Sequence, residues 1–454
     1  MNSPNEKRIA LFETIPVPKA VLTLALPTVM GMMVSVVYNM VDTFFVGQTG
    51  DPNQVAAVSL TMPLFLLLMA IGNIFGIGGG AHISRLLGQR KYDEVKKVSS
   101  TCLYTASAFG FAAMLFFLIF MPGILKIAGT SGQTYGFAKD YLFYIALGAP
   151  LVVLSVALGQ IVRSEGAAKE SMRGMMAGTI VNIILDPIMI LWLKMGVSGA
   201  AIATIIGNAV SVLFYLLHML KSHSLLSLSP KHIEIQSRIL APVFAIGIPV
   251  SIGNILMSIS NVVLNNFVAS YGDTVVAGMG ISGRLFTIAI MLFIGIGQGI
   301  QPLIGYNFAS KNYARMNKTI VFSSAVCVIC GIILLTLTML FREQVVALFI
   351  DNDEVVKYGA MIIRAQMLSS PVLGLMFIFL NTFQALGKAL PSLILTISRQ
   401  GFVFIPVLFI SNSLFGLQGI IYAQPSADIF STVLAAVMYL IIFRSIKKLQ
   451  KPIA

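Results

Sequence analysis

The chain has 454 residues, of which 57% are hydrophobic and only 10% are charged, and its mean hydropathy is +0.90. Soluble domains carry about 25% charged residues, so this composition excludes a protein whose main solvent is water. The formal net charge of +13 does not indicate nucleic-acid binding, because the basic residues are not gathered on a water-facing module.

Apolar segments follow one another along the chain, and each is long enough to cross roughly 30 Å of hydrocarbon as a helix. They cover residues 17–48, 54–80, 98–121, 135–162, 171–193, 197–220, 240–270, 275–305, 318–341, 355–385, 391–412 and 416–443. Runs of this length without period-two alternation exclude a membrane β-barrel. The sequence therefore predicts an all-α membrane protein with about twelve transmembrane helices.

The lysines and arginines alternate between the two ends of these segments. One set of ends carries Lys7, Arg8, Lys19, Arg85, Arg90, Lys91, Lys96, Lys97, Arg163, Lys169, Arg173, Lys221, Lys231, Arg238, Lys311, Arg315, Lys318, Lys388, Arg444, Lys447, Lys448 and Lys451. The opposite ends carry only Lys126, Lys139, Lys194, Arg342 and Lys357. By the positive-inside rule we expect a multi-pass protein with both termini in the cytoplasm. The plasma membrane of a prokaryote is the expected location.

The second half of the sequence repeats the first. LPTVMGMMVSVVYNMVDTFFV aligns with IPVSIGNILMSISNVVLNNFV, so that Pro27 meets Pro249 and Asn39 meets Asn261, and later Gly78 meets Gly299. Each half has six predicted helices and starts on the same side of the membrane, as in transporters built from parallel repeats. We predict two pseudo-symmetric lobes, residues 1–220 and 239–454, joined by a polar cytoplasmic linker at 221–238.

The segment GIGGGAH at residues 76–82 superficially fits a dinucleotide-binding fingerprint. Such a glycine loop must follow a strand and open a βαβ unit, whereas this one ends a predicted membrane helix. Its glycines are better explained by close helix contact. The chain also has no Walker A motif, and we predict no nucleotide or other cofactor.

Few charged residues lie inside the predicted helices, where each is costly. Asp42 precedes Gly47 by five residues, Asp186 precedes Lys194 by eight, and Thr204 follows Gly196 by eight. At 1.5 Å per residue, these three side chains lie roughly 8–12 Å below the outer helix ends and can meet.

Asn182 is four residues from Asp186 and shares its helix face. Pro187 leaves the carbonyl of Ile183 without its helical partner. These oxygen groups, together with Asp42 and Thr204, predict a site for a proton or Na⁺. The alternative is that the two aspartates are ordinary buried residues capped by hydroxyl groups.

Three arginines and a third aspartate also lie within predicted helices. Asp428 is a candidate cavity residue, although it could simply pair with Arg284 or Arg399. Arg284 is a further cavity candidate. Pro27, in the helix of Asp42, is a candidate bend that couples ionisation to helix shape.

The order and spacing of LPTVMGMMVSVVYNMVDTFFVG, GIGGGAHISRLLGQRKYDEVKK and their repeats resemble the multidrug and toxic compound extrusion (MATE) transporters over essentially the whole chain. The resemblance implies the V-shaped MATE fold and antiport of substrate against H⁺ or Na⁺. Within the family the chain is most similar to the DinF-like branch, whose amino-lobe cluster maps onto Asp42, Asn182, Asp186 and Thr204. Tyr38 and Asn39 of the first helix are further candidates for the substrate cavity.

NorM-like members of the family carry additional acids in the seventh and tenth helices. The corresponding segments here read SIGNILMSISN and LNTFQALGKAL and contain no acid. This departure favours the amino lobe, rather than the carboxy lobe, as the place where a Na⁺ would bind.

The favoured function is secondary active multidrug efflux, in which a cationic or amphipathic small molecule is exchanged for H⁺ or Na⁺ by alternating access. A flippase for a lipid-linked saccharide or peptidoglycan precursor is the alternative, and Arg284, Arg364 and Arg399 keep it open. An intramembrane transferase would need an acidic metal cluster or a reactive histidine, so we do not predict an enzyme. Expected partners are the small-molecule substrate and membrane lipid, without nucleic acid, and the duplicated chain is expected to work as a monomer.

Overall fold

A computed structural model describes residues 4–221 and 223–449, without the side chains of residues 4–7, 39, 43 and 447–449. This part of the chain is helical throughout and contains no β-strand. Its helices are α1 (Pro4–Glu13), α2 (Val17–Gly47), α3 (Pro52–Gly88), α4 (Tyr92–Ile127), α5 (Tyr135–Leu147), α6 (Ala149–Ser164), α7 (Ala168–Asp186), α8 (Gly196–Met219), α9 (Ser237–Ala269), α10 (Asp273–Ala309), α11 (Tyr313–Ala347), α12 (Asp353–Met367), α13 (Ser370–Ala385), α14 (Ala389–Ile397), α15 (Phe404–Phe415) and α16 (Leu417–Leu449).

The helices confirm the prediction of a multi-pass membrane protein. Among the described residues, ten spans are long and apolar enough to cross a bilayer, and two bent helix pairs raise the number to twelve. The bent pairs are α5 with α6, at 54°, and α12 with α13, at 49°. Several helices are longer than the apolar segments predicted for them, because a helix that leaves the hydrocarbon can continue with polar residues. Helix α3, for example, continues to Gly88.

The two bends occupy equivalent places in the repeat and have the same cause. Pro150 lies at the start of α6 and Pro371 at the start of α13. A proline has no N–H to continue the preceding helix but fits the first turn of a new one. Each half also contains a π-helical segment, Pro187–Trp192 after α7 and Ser398–Phe402 between α14 and α15.

One end of the bundle, which we term the basal face, carries α1, the loops around residues 90, 166, 311 and 387, and the segment between α8 and α9. The opposite end, the distal face, carries the loops around residues 50, 130, 194, 271 and 350. Ion pairs and hydrogen bonds between these loops hold the basal face together; Arg90 with Glu13 is one example, at 3.3 Å.

The two halves of the sequence cross each other through glycines in the basal part of the bundle. A Cβ atom on Gly299 of α10 would come within 2.6 Å of the Cα of Ala25 in α2. At the pseudo-equivalent crossing, a Cβ on Gly78 of α3 would collide with the backbone of Val243 in α9. These glycines therefore permit backbone-to-backbone contact, as small residues do at membrane helix interfaces.

Gly299→Leu is expected to lower the melting temperature of the purified protein in detergent, with a destabilisation of about 2 kcal/mol. The reason is that the new side chain meets rigid backbone of α2 rather than a flexible side chain. Gly283→Leu, on the same helix, is the matched control because a Cβ there meets nothing within 4 Å. Equal melting temperatures for the two variants would contradict a tight crossing at Gly299.

Helix α1, which the apolar pattern does not predict, binds to both halves at the basal face. Phe12 stacks on Tyr306 of α10, with ring centroids 4.8 Å apart. The Nε of Arg315 donates to the carbonyl of Phe12 at 2.6 Å. On the other half, Arg8 pairs with the buried Glu165 at 2.9 Å. Helix α1 therefore joins elements from the two repeats.

The segment between α8 and α9 is attached to the first repeat by hydrogen bonds. The hydroxyl of Ser100 donates to the carbonyl of Ser227 at 2.9 Å, and that of Tyr104 donates to the carbonyl of Leu228 at 3.0 Å. Further along, hydrogen bonds from Lys97 and Arg238 hold the pKa of the Glu234 carboxyl below its usual range. This segment is therefore packed against α4 rather than extended.

Candidate ion-binding site

The polar side chains predicted from the first repeat come together in the distal part of the bundle. The phenol oxygen of Tyr38 lies 3.2 Å from the hydroxyl oxygen of Thr204. Asp42 is one helical turn beyond Tyr38 on α2 and is close enough to Asp186 for the two carboxylates to interact electrostatically. Helices α2, α7 and α8 each supply part of this cluster.

Asn182 joins α7 to α8 within the cluster. In the amide orientation that satisfies both ends, its Nδ2 donates to Asp186 at 3.3 Å, while its oxygen accepts from the backbone N–H of Thr204 at 3.0 Å. Asp186 is fully buried and Asn182 is 2% exposed. The amide thus holds the carboxylate while remaining bonded itself, as a buried polar group requires.

The sequence creates this geometry through Pro187. Helix α7 ends at Asp186, and the chain continues as the π-helical segment Pro187–Trp192. A proline at this point removes one backbone donor, and a wider helical turn accommodates the change. The predicted irregularity next to Asp186 is therefore present. π-Bulges are frequent at functional sites in helices.

A cavity of about 150 Å³ opens beside Asp42. It has room for several water molecules. Its lining residues are Tyr38, Asp42, Val46, Val55, Val58, Ser59, Met62, Phe65, Tyr141 and Thr204. The Oδ1 atom of Asp42 is buried and has no hydrogen-bond partner in the described part of the chain. A buried acceptor without a partner is costly, so this oxygen is well placed to accept a proton or to bind a cation.

The carboxylate, amide and hydroxyl oxygens of the cluster suit an ion that prefers oxygen ligands. Within the described ranges, no group of three or more His, Cys, Asp or Glu side chains could hold a metal. A Na⁺ at this place would therefore be held by the two carboxylates together with amide and hydroxyl oxygens, which are ligands for hard cations. A proton needs only one carboxylate.

Three residues that the sequence analysis did not select support the cluster. Tyr141 of α5 lines the cavity. The Nδ2 of Asn208 donates to the backbone carbonyl of Thr204 at 2.8 Å, and Ser155 of α6 donates to Asn208. Asn208 could have been found from its four-residue spacing to Thr204, whereas Tyr141 and Ser155 come from helices whose register the sequence does not define.

The other predicted residues of α2 have different surroundings. Pro27 is buried in the basal half of α2, which continues as one helix through it. Its role as a bend stays a prediction. Asn39 lies between Tyr38 and the cavity-facing Asp42 in sequence, but its side chain is outside the described part of the structure.

The pseudo-equivalent positions of the second repeat form an apolar cluster. The pairing of Pro27 with Pro249 also pairs Asp42 with Leu264, and the pairing of Pro150 with Pro371 also pairs Asn182 with Val403 and Asp186 with Val407. Leu264, Val403 and Val407 are all partly buried and pack against one hydrophobic cluster. The second repeat therefore has the same helices as the first, but its residues at the positions of Asp42 and Asp186 are apolar.

Asp428 is bound to Arg399 and not to Arg284. The Nε of Arg399 donates to Asp428 Oδ1 at 2.8 Å, and both side chains are buried. Gln424 donates to the same oxygen at 2.9 Å, Ser369 donates to Oδ2 at 3.2 Å, and Arg399 lies 5.2 Å above the ring of Phe377.

This arrangement satisfies both charges within the protein. Arg284 and Arg364 are exposed instead, and neither has an ion pair or side-chain hydrogen bond to another described residue.

Twelve spans in two repeats, with a polar cluster and a cavity among the helices, define a membrane transporter of the parallel-repeat class. The family profile described as MatE matches residues 27–188 and 249–410, two stretches that begin at the aligned prolines of the repeat. The chain belongs to the MatE family, and its members are ion-coupled transporters. The predicted resemblance is thereby confirmed.

Close relatives cover nearly the whole chain. The multidrug export protein MepA of Staphylococcus aureus strain MRSA252 is 38% identical over 427 residues, which is 93% of each chain. The protein of the same name from Staphylococcus saprophyticus is 35% identical over 438 residues, which is 96% of each chain.

Solved structures confirm the predicted MATE fold. An outward-facing multidrug resistance MATE transporter superposes with a TM-score of 0.92 at 24% identity, covering 97% of this chain and 99% of its own. A MOP-superfamily transporter from Pyrococcus furiosus gives 0.91 at 23% identity, with the same coverage.

Proposed function

We propose that the chain is a multidrug efflux transporter that exchanges cationic or amphipathic small molecules for H⁺ or Na⁺. The relationship to the MepA proteins, described as multidrug exporters and 38% identical over 93% of the chain, carries this proposal. The buried polar cluster around Asp42 supplies the chemistry that ion coupling needs. A transporter of this kind catalyses no covalent step.

The proposed ion site is Asp42, Asn182, Asp186 and Thr204, with Tyr38 at its edge. Support comes from the Oδ1 of Asp42, for which the described side chains and backbone supply no hydrogen-bond partner, and from the adjoining cavity. An ion or proton would neutralise this carboxylate, and its release would restore the charge. Helix α2 contacts α10 in its basal half and carries part of the cluster in its distal half. A change in the shape of α2 that follows ionisation of Asp42 would therefore alter the crossing of the two halves.

Alternating access would follow from movement of residues 1–220 against residues 239–454. The crossings at Gly78 and Gly299 keep the halves together basally in this conformation. The linker 221–238 would travel with the first lobe, since it is bonded to α4. Pro27 lies within the crossing, between the contacts of Ala25 and Val29 with α10, and is the proposed point of bending in α2.

The proposed location is a prokaryotic plasma membrane with the basal face in the cytoplasm. The basic residues that the positive-inside rule assigns to the cytoplasm lie on the loops and helix ends of that face, such as Arg90 and Arg315. Both termini would then be cytoplasmic. The duplicated chain provides both lobes of a transport pathway, so a functional monomer surrounded by lipid is the proposed unit.

The flippase alternative is not favoured. A lipid pyrophosphate would need several free cationic groups in the cavity. Arg399 is already neutralised by Asp428 in a buried ion pair. The relatives at 35–38% identity are described as multidrug export proteins.

The test is transport by purified protein in phosphatidylcholine liposomes, with ethidium as the fluorescent cation and an imposed gradient of either H⁺ or Na⁺. We expect uptake driven by one of the gradients and abolished when that gradient is collapsed by an ionophore. Uptake under neither gradient would contradict ion-coupled efflux. Response to one gradient alone identifies the coupling ion.

A further inference from the structure

Arg85 of α3 crosses from the first repeat to the second at the basal face. Its Nη1 donates to the carbonyls of Gln384 at 3.3 Å and Ala385 at 3.1 Å, in the last turn of α13. The last carbonyls of a helix have no partner within it and carry the negative end of the helix dipole, so a guanidinium stabilises them. A Cβ atom on Gly387, just after this helix, would come within 3.1 Å of the Cζ of Arg85. The loop after α13 is therefore shaped to receive a guanidinium of the other repeat.

At the pseudo-equivalent place on the first repeat, α1 takes part in the contact. The repeat alignment pairs Arg85 with Tyr306 of α10. It also pairs Gly387 with Gly166, in the loop after α6. A Cβ atom on Gly166 would come within 3.0 Å of the ring of Phe12, and this ring stacks on Tyr306 with centroids 4.8 Å apart. Phe12 of α1 therefore lies between the loop of one repeat and the side chain of the other, whereas Arg85 reaches its loop directly.

Arg315 of α11 holds the end of α1 on the second repeat. Its Nε donates to the carbonyl of Phe12 at 2.6 Å, and its Nη2 donates to the carbonyls of Leu11 at 3.1 Å and Ile15 at 2.6 Å. The Nδ2 of Asn307, near the end of α10, also donates to the carbonyl of Phe12, at 3.2 Å. As at α13, a guanidinium binds the carbonyls of a helix end across the two repeats.

Other contacts of α1 fasten it to the first repeat. Arg8 pairs with the buried Glu165 at 2.9 Å, and Glu13 accepts a hydrogen bond from Arg90 at 3.3 Å. Helix α2 begins only four residues after α1 ends, so α1 is also tied covalently to the first repeat. When the two repeats separate at the basal face, the contacts that must break are therefore those of α1 with α10 and α11.

We propose that α1 is a strap that holds the basal face closed: it stays on the first repeat, and its end leaves α10 and α11 when the face opens. The proposal rests on the proposed alternating access and adds an element that controls it. The contacts made by Phe12 and Arg315 across the repeats exist only while the face is closed, so they favour the closed form. Removing either contact shifts the population towards a form that is open at the basal face. Arg85 supplies the other closing contact.

The test measures the distance between spin labels at the basal ends of α4 and α11 by pulsed electron paramagnetic resonance, on full-length protein in phosphatidylcholine nanodiscs. The labels are attached to cysteines at the exposed positions Asp93 and Lys318, after the three native cysteines are replaced by alanine. A short distance reports the closed basal face and a longer one the open face. Phe12→Ala and Arg315→Gln are each expected to raise the ratio of open to closed protein about tenfold, because each removes contacts that only the closed form makes.

Arg238→Gln is the matched control, since Arg238 is an exposed basal arginine that bonds to Glu234, four residues before it, and should leave the ratio unchanged. Arg315→Lys should give an intermediate ratio, because an ammonium keeps the charge but cannot reach all three carbonyls. A second label pair within the first repeat, at Asp93 and Lys169, should keep its distance in every variant, which separates opening from unfolding.

An unchanged ratio in both Phe12→Ala and Arg315→Gln, or an equal rise in Arg238→Gln, would overturn the strap. Dye transport into liposomes tests the efflux proposal separately. If the variants shift the distances as expected but the wild type transports no dye, the efflux proposal fails while the strap stands. If the wild type transports dye and the variants leave the distances unchanged, the strap fails while the efflux proposal stands.

Discussion

Asp42→Asn is expected to reduce gradient-driven transport to less than about a tenth of the wild-type rate. The substitution keeps the size of the side chain but removes the group that binds and releases the ion. Its Oδ1, which has no hydrogen-bond partner among the described residues, makes Asp42 the member of the cluster that is best placed to bind an ion. The measurement is the initial rate of dye uptake into proteoliposomes under the gradient that drives the wild type.

Asp140→Asn is the matched control, because Asp140 is an exposed acid of the same repeat on α5, near the distal face. It should leave transport unchanged. The melting temperature of Asp42→Asn should stay close to that of the wild type, which separates lost coupling from lost folding. Wild-type transport by Asp42→Asn would refute the proposed ion site.

Asp428→Ala is expected to destabilise the protein by about 3–5 kcal/mol, because it leaves the buried guanidinium of Arg399 without its counter-ion. The pair is within the bundle and is completed by Gln424 and Ser369, so water cannot readily replace the carboxylate. The measurement is the free energy of unfolding in mixed micelles titrated with dodecyl sulfate.

The double variant Asp428→Leu with Arg399→Met should recover most of the lost stability, since a buried pair can often be replaced by apolar residues of similar volume. Its transport rate then decides the role of the pair. Transport near the wild-type rate would establish that Asp428 is structural. A stable double variant without transport would contradict this and return Asp428 to the functional residues.

Gly78 and Gly299 illustrate how the sequence reveals a contact without identifying its partner. Their alignment in the repeat and the surrounding small residues indicated close helix packing. Which helices they touch depends on the fold: each glycine contacts the other repeat, Gly78 on α9 and Gly299 on α2. A pattern along one helix contains no information about the neighbour that will face it.

The polar cluster of the first repeat was largely predictable because it depends on depth. Asp42, Asn182, Asp186 and Thr204 are costly in a membrane helix unless they meet, and the constant rise of an α-helix gave each of them a similar height. Tyr141 and Ser155 could not be found in this way. Their helices α5 and α6 are separated by a bend of 54°, which alters the direction of every side chain beyond it.

The sequence by itself determined that the chain spans a membrane about twelve times, that it is a duplicated MATE-type bundle, and which first-repeat side chains form a polar cluster. The spans, the duplication and the cluster follow from hydropathy, internal repetition and helix rise, whereas the MATE type follows from the resemblance of the motifs to that family. The tertiary structure alone decided that Asp428 pairs with Arg399, that α1 binds both repeats, and that Arg284 forms no ion pair with another described residue. Such choices depend on helix rotation and on neighbours distant in sequence, because a charge within the membrane pairs with whichever group packing brings near it.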